Sequence, residues 1–240
     1  MPFLLNIDTA TEQASVCISK GTEVLAMQQS ADQKNHASFI QPAIQQLLEI
    51  CNMQPASLHA IAVTAGPGSY TGLRVGLATA KGLCYALKKP LILINTLEVM
   101  ALASIQKNAS TKHQTINEKP EMKSSILFCP MIDARRMEVF TALYNDLLQQ
   151  QIQPAAMIIN ENSFENYLET NEIIFSGSGH HKLQQILQHP NAIFSTVAHH
   201  AGHLAVLATD AYNHTKFADI AYSEPLYLKE FFTPAKRLNP

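Results

Sequence analysis

The chain of 240 residues is 47% hydrophobic and 15% charged, with a formal net charge of −2. This length accommodates one or two domains, and the hydrophobic content suffices for a packed core. Proteins that bind nucleic acid alone usually carry a strong basic excess, and this chain has no extended run of Lys or Arg. The composition therefore argues against tight RNA binding by the chain alone, although folding could gather scattered cations on one face.

The N-terminus and the cysteines indicate the compartment. Asp8 interrupts the apolar stretch MPFLLNID, which also lacks a basic segment, so a signal peptide is not expected. No apolar stretch approaches membrane-spanning length. The four cysteines form no C-x-x-C pair and have apolar neighbours, which favours buried free thiols. These features predict a cytoplasmic protein without membrane association.

The N-terminal part predicts an antiparallel meander of three strands, Phe3–Asp8, Ala14–Ser19 and Glu23–Gln28. The turn after the first strand, Asp8-Thr9-Ala10-Thr11, has two interpretations of equal weight. Asp8, Thr9 and Thr11 are either candidate contacts for a nucleotide phosphate and Mg²⁺, or members of an Asx or Ser/Thr turn.

A helix is predicted over His36–Cys51. Its wide apolar face suits either a core helix or a helix that also contacts a partner. His36 is more typical of a cap or surface residue than of a metal ligand. The apolar face comprises Phe39, Ile40, Ala43, Ile44, Leu47, Leu48 and Cys51.

The central stretch AVTAGPGSYTGLRVGLATAKGLCYAL, residues 62–87, predicts a buried strand, a Gly/Pro loop and a helix capped by Ser69 or Thr71. The helix carries small residues at every fourth position. Because interior glycine costs helix stability, this stripe predicts that another backbone approaches closely. The stripe consists of Gly72, Gly76, Ala80 and Cys84.

The loop of this stretch does not match the general phosphate-binding or nucleophile motifs. Leu73 and Arg74 follow Gly72 where a P-loop has Lys and Ser/Thr, and the third glycine of a G-x-G-x-x-G pattern comes one residue late. The elbow G-x-S-x-G is absent because Gly68 directly precedes Ser69. A tight strand-to-helix turn is therefore favoured over an anion site.

Further along, a strand at Pro90–Asn95 and a polar loop over 108–124 lead into a second group of strands. In the predicted hairpin turn Asp133-Ala-Arg135-Arg136, the aspartate is expected to cap the turn and the arginines to pair with carboxylates. An acid–base site with Glu138 is the alternative. The predicted strands of this group are Ile126–Ile132, Met137–Tyr144, Leu147–Met157 and Ile173–Ser176.

His199 and His203 are spaced to share one face of a helix and raise the possibility of a metal site. The favoured interpretation is the polar start of a helix over Ala201–Tyr212, because H-E-x-x-H is incomplete. The segment Tyr222–Lys229 is expected to return to the first lobe, and Thr233–Pro240 to be disordered.

Four segments together resemble the TsaB (YeaZ) family of tRNA threonylcarbamoyladenosine biosynthesis proteins. They are LNIDTATE near the N-terminus, GPGSYTGLRVGLATAKGL in the centre, DARRMEVF from Asp133, and EPLYLK from Glu224. The resemblance covers most of the chain in the family's order. It implies two α/β lobes of the actin-like ATPase (ASKHA, ribonuclease H-like) fold, each a mixed sheet flanked by helices. The expected division is 1–106 plus about 215–240 for the first lobe and 107–214 for the second.

The same resemblance implies a non-catalytic subunit that binds and activates TsaD for threonylcarbamoyl transfer to tRNA adenosine. Where the related TsaD family has a His-x-x-x-His metal motif, this chain has Thr96 and Met100. We therefore expect no metal and no cofactor of its own, with ATP binding weak or absent. TsaE is expected to join a larger complex. The chain alone is expected to form a homodimer, and it is expected to contact tRNA only through the complex.

The TsaD interface is predicted on the two helices 36–51 and 72–87, with ten residues: His36, Phe39, Ile40, Ala43, Leu47, Gly72, Leu73, Gly76, Ala80 and Leu83. Two enzymatic alternatives stay open. One is a nucleotide-dependent phosphotransferase or ATPase of the same fold that uses Asp8, Thr9 and Thr11. The other is a peptidase, for which the chain offers neither a metal motif nor a triad.

Overall fold

The computed structural model describes residues 1–31, 35–112 and 125–229. These residues form two mixed five-stranded sheets, ordered β3-β2-β1-β4-β5 and β10-β9-β6-β7-β8. The strands are β1 (Phe3–Asp8), β2 (Ala14–Lys20), β3 (Glu23–Ser30), β4 (Ala60–Thr64), β5 (Leu91–Ile94), β6 (Ser125–Asp133), β7 (Glu138–Tyr144), β8 (Gln150–Ile158), β9 (Asn171–Ser176) and β10 (Ala192–Ser195).

Both sheets have the same topology. In each, the first strand pairs antiparallel with the second and parallel with the fourth. In the first sheet, Leu5 of β1 lies opposite Ile18 of β2 and Ile61 of β4. In the second sheet, Ile132 of β6 lies opposite Phe140 of β7, and Leu127 of β6 lies opposite Ile173 of β9. The central strands β1 and β4 are buried on both faces, which explains their continuous apolar runs. The expected two-lobed actin-like fold is confirmed, including a structural duplication that is not visible in the sequence.

The helices form three layers around the two sheets. Helices α1 (His36–Ile50) and α2 (Tyr70–Leu87) cover the outer face of the first sheet, and the short α4 (Glu165–Leu168) and α5 (His180–Gln184) lie on the second. Between the sheets, α3 (Thr96–Lys112) packs on β6 and α6 (Ala201–Asn213) packs on β1. The helix that follows each sheet therefore covers the opposite sheet.

This exchange places one helix of the range 107–214, the expected second lobe, against the first sheet. Leu204, Ala208 and Ala211 of α6 pack on Leu4 and Ile92. Helix α3 continues to residue 112, through the start of the predicted loop, because its buried face is held against β6. The rest of that loop and Thr233–Pro240 lie outside the described residues.

After α6, the chain returns to the first lobe. Ala218 forms a bridge with Leu91, and the Leu226 amide donates to the Ala65 carbonyl at 2.7 Å. We call residues 216–229 the closing segment. The cysteines are all free, and burial raises the pKa of Cys17 and of Cys129 to about 12. Within the described ranges, no helix is both long and apolar enough to cross a bilayer.

Candidate functional site

The turn after β1, residues 8–11, is fastened to the start of α2. Ser69 caps this helix by accepting a hydrogen bond from the Gly72 amide, as predicted. The Thr9 hydroxyl donates to the Gly72 carbonyl at 2.8 Å, and the Ser69 amide donates to the Ala10 carbonyl at 2.7 Å. Thr9 therefore serves to hold α2 against the sheet.

The small residues of α2 make this contact possible. A Cβ at Gly72 would collide with the Thr9 carbonyl oxygen, and one at Gly76 with the Thr9 hydroxyl. The close approach predicted from the stripe is real, but the approaching backbone is the chain's own first turn. Because Ala80 and Cys84 are also fully buried, this side of α2 faces the core.

Asp8 is only 1% exposed, and protein groups surround its carboxylate. Its Oδ1 accepts from the Thr64 hydroxyl at 2.9 Å and from the Ala10 amide at 3.2 Å, which makes an Asx turn. Its Oδ2 lies 3.2 Å from His199 Nε2. Burial alone would raise the pKa of Asp8; the neighbouring His199 and the two donors at Oδ1 outweigh burial and hold the pKa below its usual value.

This arrangement does not fit a metal ion or a nucleotide phosphate at Asp8. Among the described residues, Asp8 and His199 supply two ligand side chains, fewer than a metal site needs, and a phosphate would bring like charge to a buried carboxylate. Thr96 and Met100 are buried at the start of α3, and neither carries a ligand typical of a catalytic metal. Over residues 1–31, 35–112 and 125–229, no group of three or more His, Cys, Asp or Glu is placed to hold a metal.

Thr11 stands apart from the other two candidates, because it lines a cleft of about 400 Å³ between the lobes. Its hydroxyl lies 3.5 Å from His199 Nε2. The opposite wall of the cleft comes from Gly177 and Ser178, with His180 and His181 at the start of α5. The structure thus separates Thr11, at the cleft, from Asp8 and Thr9, which are buried.

The three histidines near α6 have different roles. His199 precedes the helix and contacts Asp8, so it does not share a helical face with His203; the favoured interpretation, the polar start of a helix, is confirmed. His200 caps the helix: its Nδ1 accepts from the Gly202 amide, and His203 Nδ1 accepts from the His200 amide, both at 3.1 Å. Burial lowers the pKa of His200. Burial, together with the nearby His200 and His199, lowers the pKa of His203 to about 4. Neutral rings can accept these hydrogen bonds.

Most of the ten residues predicted to contact a partner are buried in the chain's own core. His36 is buried beneath the first turn, where its Nε2 donates to the Glu12 carbonyl at 3.3 Å. Phe39 and Leu83 are partly exposed. The other eight are buried, so a partner could not contact them on the surface of this structure: His36, Ile40, Ala43, Leu47, Gly72, Leu73, Gly76 and Ala80.

The outward side of α2 carries a different set of small and apolar residues. Ala78, Gly82 and Ala86 are exposed at every fourth position, and Tyr85 beside them is 82% exposed. Among the described residues, nothing lies within 4 Å of a Cβ built at Gly82. This second stripe is not among the predicted contact residues, although its spacing is visible in the sequence. Ile50, 59% exposed, ends α1, the other helix of the same outer layer. We call these five residues the outer face.

The hairpin between β6 and β7 is held by lysines. Lys182 Nζ lies 2.7 Å from Asp133 Oδ1 and donates to the Glu138 carbonyl at 3.1 Å, while Lys229 of the closing segment pairs with the Glu138 carboxylate. Burial opposes ionisation of Asp133, but Lys182 and the Arg135 amide hold its pKa below the usual value. The expectation that arginines would neutralise these carboxylates is therefore wrong, while the predicted aspartate cap is present.

The fold and this site define a two-lobed α/β protein of the actin-like type whose first turn is closed by its own side chains. A family model described as TsaD, tRNA N6-adenosine threonylcarbamoyltransferase, matches residues 23–234. The chain belongs to this family. The TsaB/YeaZ resemblance of the sequence motifs is confirmed by curated relatives and solved structures.

Three curated relatives are tRNA threonylcarbamoyladenosine biosynthesis proteins TsaB. The Bacillus subtilis (strain 168) protein is 34% identical over 62% of this chain and 59% of its own length. The Escherichia coli (strain K12) protein is 29% identical over 76% of this chain and 67% of its own length. The Haemophilus influenzae (strain ATCC 51907 / DSM 11121 / KW20 / Rd) protein is 29% identical over 71% of this chain and 61% of its own length. The matched region thus spans about three fifths to two thirds of these relatives.

Two solved structures share the fold. YeaZ from Pseudomonas aeruginosa has a TM-score of 0.78 at 22% identity, covering 95% of this chain and 100% of that one. A second Pseudomonas aeruginosa protein, described as similar to peptidase YeaZ, has a TM-score of 0.81 at the same identity and coverage. At this identity the likeness concerns the fold.

Proposed function

We propose that the chain acts in tRNA threonylcarbamoyladenosine biosynthesis as a non-catalytic subunit that binds and activates a TsaD-type protein. The observation that carries this proposal is the family match over residues 23–234, together with several relatives named TsaB. On this proposal the protein works in the cytoplasm, and it meets tRNA within the complex.

The site chemistry supports a non-catalytic role. The carboxylate that would face a nucleotide in this fold is buried against His199 and accepts two hydrogen bonds from its own chain. Thr96 and Met100 stand where the related family is expected to have metal-binding histidines. We therefore assign no cofactor to this chain, and we expect ATP turnover to need its partners.

The outer face is the surface that we assign to the TsaD-type partner. It combines small residues, which allow close helix approach, with the exposed aromatic ring of Tyr85. Phe39 and Leu83, the two partly exposed members of the predicted set, can extend it. In the absence of the partner the same face can bury itself in a two-fold homodimer, and TsaE would join the larger complex.

The test uses two exposed alanines on different helices. Ala78→Arg places a long charged side chain in the outer face, while Ala109→Arg makes the same change on α3. Both variants should fold, because both positions are exposed and Arg is a good helix former. We expect size-exclusion chromatography with light scattering to show a stoichiometric complex for the wild type and Ala109→Arg but not for Ala78→Arg.

Threonylcarbamoyl transfer to tRNA should follow the same order when the assay contains the TsaD-type protein of the same organism. The chain alone should neither modify tRNA nor hydrolyse ATP. If Ala78→Arg bound the partner at wild-type strength, the interface would lie elsewhere. If the chain hydrolysed ATP alone and ignored the TsaD-type protein, the phosphotransferase alternative would replace this proposal.

A further inference from the structure

The tip of the β6–β7 hairpin carries two adjacent arginines in an unfavourable backbone conformation. Arg135 and Arg136 have φ angles of 70° and 46°, a region that side-chain-bearing residues other than Asn and Asp rarely adopt. Glycine or asparagine would suit these positions better. The turn thus gives up backbone stability at two consecutive residues that both present a cation.

The charges of these arginines are not compensated within the hairpin. Its two carboxylates, Asp133 and Glu138, are each engaged by a lysine, Lys182 and Lys229. In the described part of the chain, neither guanidinium group has a hydrogen-bond or ion-pair partner, and both arginines are exposed. The four charged groups of the hairpin and the two lysines that pair with it therefore carry an excess of two positive charges.

An aromatic cluster is joined to the hairpin by the closing segment, and we call the two features together the rim. The Arg74 guanidinium stacks 4.2 Å from the ring centroid of Tyr70, and its Nε donates to the Tyr227 hydroxyl at 3.1 Å. The rings of Tyr70 and Tyr227 are 5.3 Å apart, and Tyr227 is 39% exposed. Lys229, two residues after Tyr227, pairs with the Glu138 carboxylate, so the closing segment connects the cluster to the hairpin.

We propose that this rim is an RNA-binding surface, on which Arg135 and Arg136 contact phosphates and the Tyr70–Arg74–Tyr227 cluster stacks with an unpaired base. Uncompensated cations beside stacked aromatic and guanidinium planes are the combination that binds single-stranded RNA loops. An acidic protein segment would use the cations but not the rings of the cluster. The inference rests on the proposed function and makes the chain a direct contributor to tRNA binding within the complex.

The test compares a variant of the hairpin tip with a charge-matched control. Arg135→Asn/Arg136→Gly removes both cations and places residues that favour positive φ in the turn, so the melting temperature should stay the same or rise. Lys20→Ala/Lys107→Ala removes two charges at the opposite ends of the sheets, where β2 meets the start of β1 and where α3 ends. A third variant, Tyr227→Ala, removes one ring of the cluster.

The probe is a fluorescein-labelled RNA hairpin with a single-stranded loop, titrated by anisotropy between about 50 and 200 mM KCl against the complex with the TsaD-type protein and against the chain alone. We expect the arginine variant to bind more weakly and to reduce the slope of log K against log salt by about 1.5, since each phosphate contact contributes about 0.7–0.9. Tyr227→Ala should weaken binding about fivefold or more without changing the slope. The lysine control should match the wild type.

An arginine variant with wild-type affinity and slope would overturn the inference, as would wild-type protein that binds no RNA alone or in the complex. Complex formation, followed separately by size exclusion, reports on the proposed function. If the wild-type chain forms no complex with the TsaD-type protein, the proposed function is refuted. The RNA titration of the chain alone then tests whether the rim binds RNA. An acidic peptide that displaces the RNA and depends equally on Tyr227 would also overturn the inference.

Discussion

The contact between Asp8 and His199 is expected to be a major source of stability, and His199→Ala tests it. The change leaves a carboxylate that is 1% exposed without the imidazole 3.2 Å from its Oδ2. Removing the partner of a buried ionised group costs about 3–5 kcal/mol. In a domain of this size, 1 kcal/mol corresponds to about 2–4 °C, so we expect the melting temperature to fall by about 6–20 °C.

The pH dependence distinguishes this cause from a simple loss of packing. In the wild type the pKa of Asp8 is lowered, so its contribution to stability is present above the unfolded value near 3.8 and is lost as the pH falls through the folded value. In His199→Ala the burial of Asp8 remains and should raise the pKa of its carboxyl above the unfolded value. Folding of this variant is therefore penalised as the pH rises from the unfolded pKa through the folded one. The difference in unfolding free energy between the two proteins should therefore grow between about pH 4 and 7.

Urea unfolding at pH 5 and 7 measures this difference, with two controls. His214→Ala removes the other histidine–aspartate contact, His214 with Asp210 at 3.1 Å, which is exposed and should cost about 1 kcal/mol or less. In the Asp8→Asn background, His199→Ala should lose most of its effect, as a double-mutant cycle requires. A loss below about 1 kcal/mol, or one equal at both pH values, would refute the reasoning.

Two further predictions concern stability. Gly76→Ala should lower the free energy of unfolding in urea by about 1–3 kcal/mol, because the new Cβ collides with Thr9. Gly82→Ala in the same helix should raise it by up to about 1 kcal/mol. Equal effects would contradict the assignment of the two faces. The unfolding free energy should also decline as the pH falls from 6.5 to about 4, because the unfolded chain accepts a proton that the half-buried His203 resists. His203→Asn should flatten this part of the profile, and an unchanged profile would place the acid sensitivity elsewhere.

The sequence by itself determined the elements and the family. Strand β1 has the predicted bounds Phe3–Asp8, and α1 and α2 differ from expectation by a residue or two, because apolar periodicity and a Ser cap are local signals. The TsaB-type motifs, four segments of one chain, likewise needed no coordinates to be recognised.

Tertiary structure decided what those elements contact. Periodicity shows that a helix has a small-residue stripe but not which backbone meets it, so the stripe of Gly72 and Gly76 was assigned to a partner instead of to Thr9. Side chains far apart in sequence, such as Asp8 and His199, reveal their pairing only when the chain has folded. The exchange of α3 and α6 between the sheets was hidden for the same reason: each helix can bury its apolar face against either sheet, and only the three-dimensional packing selects one.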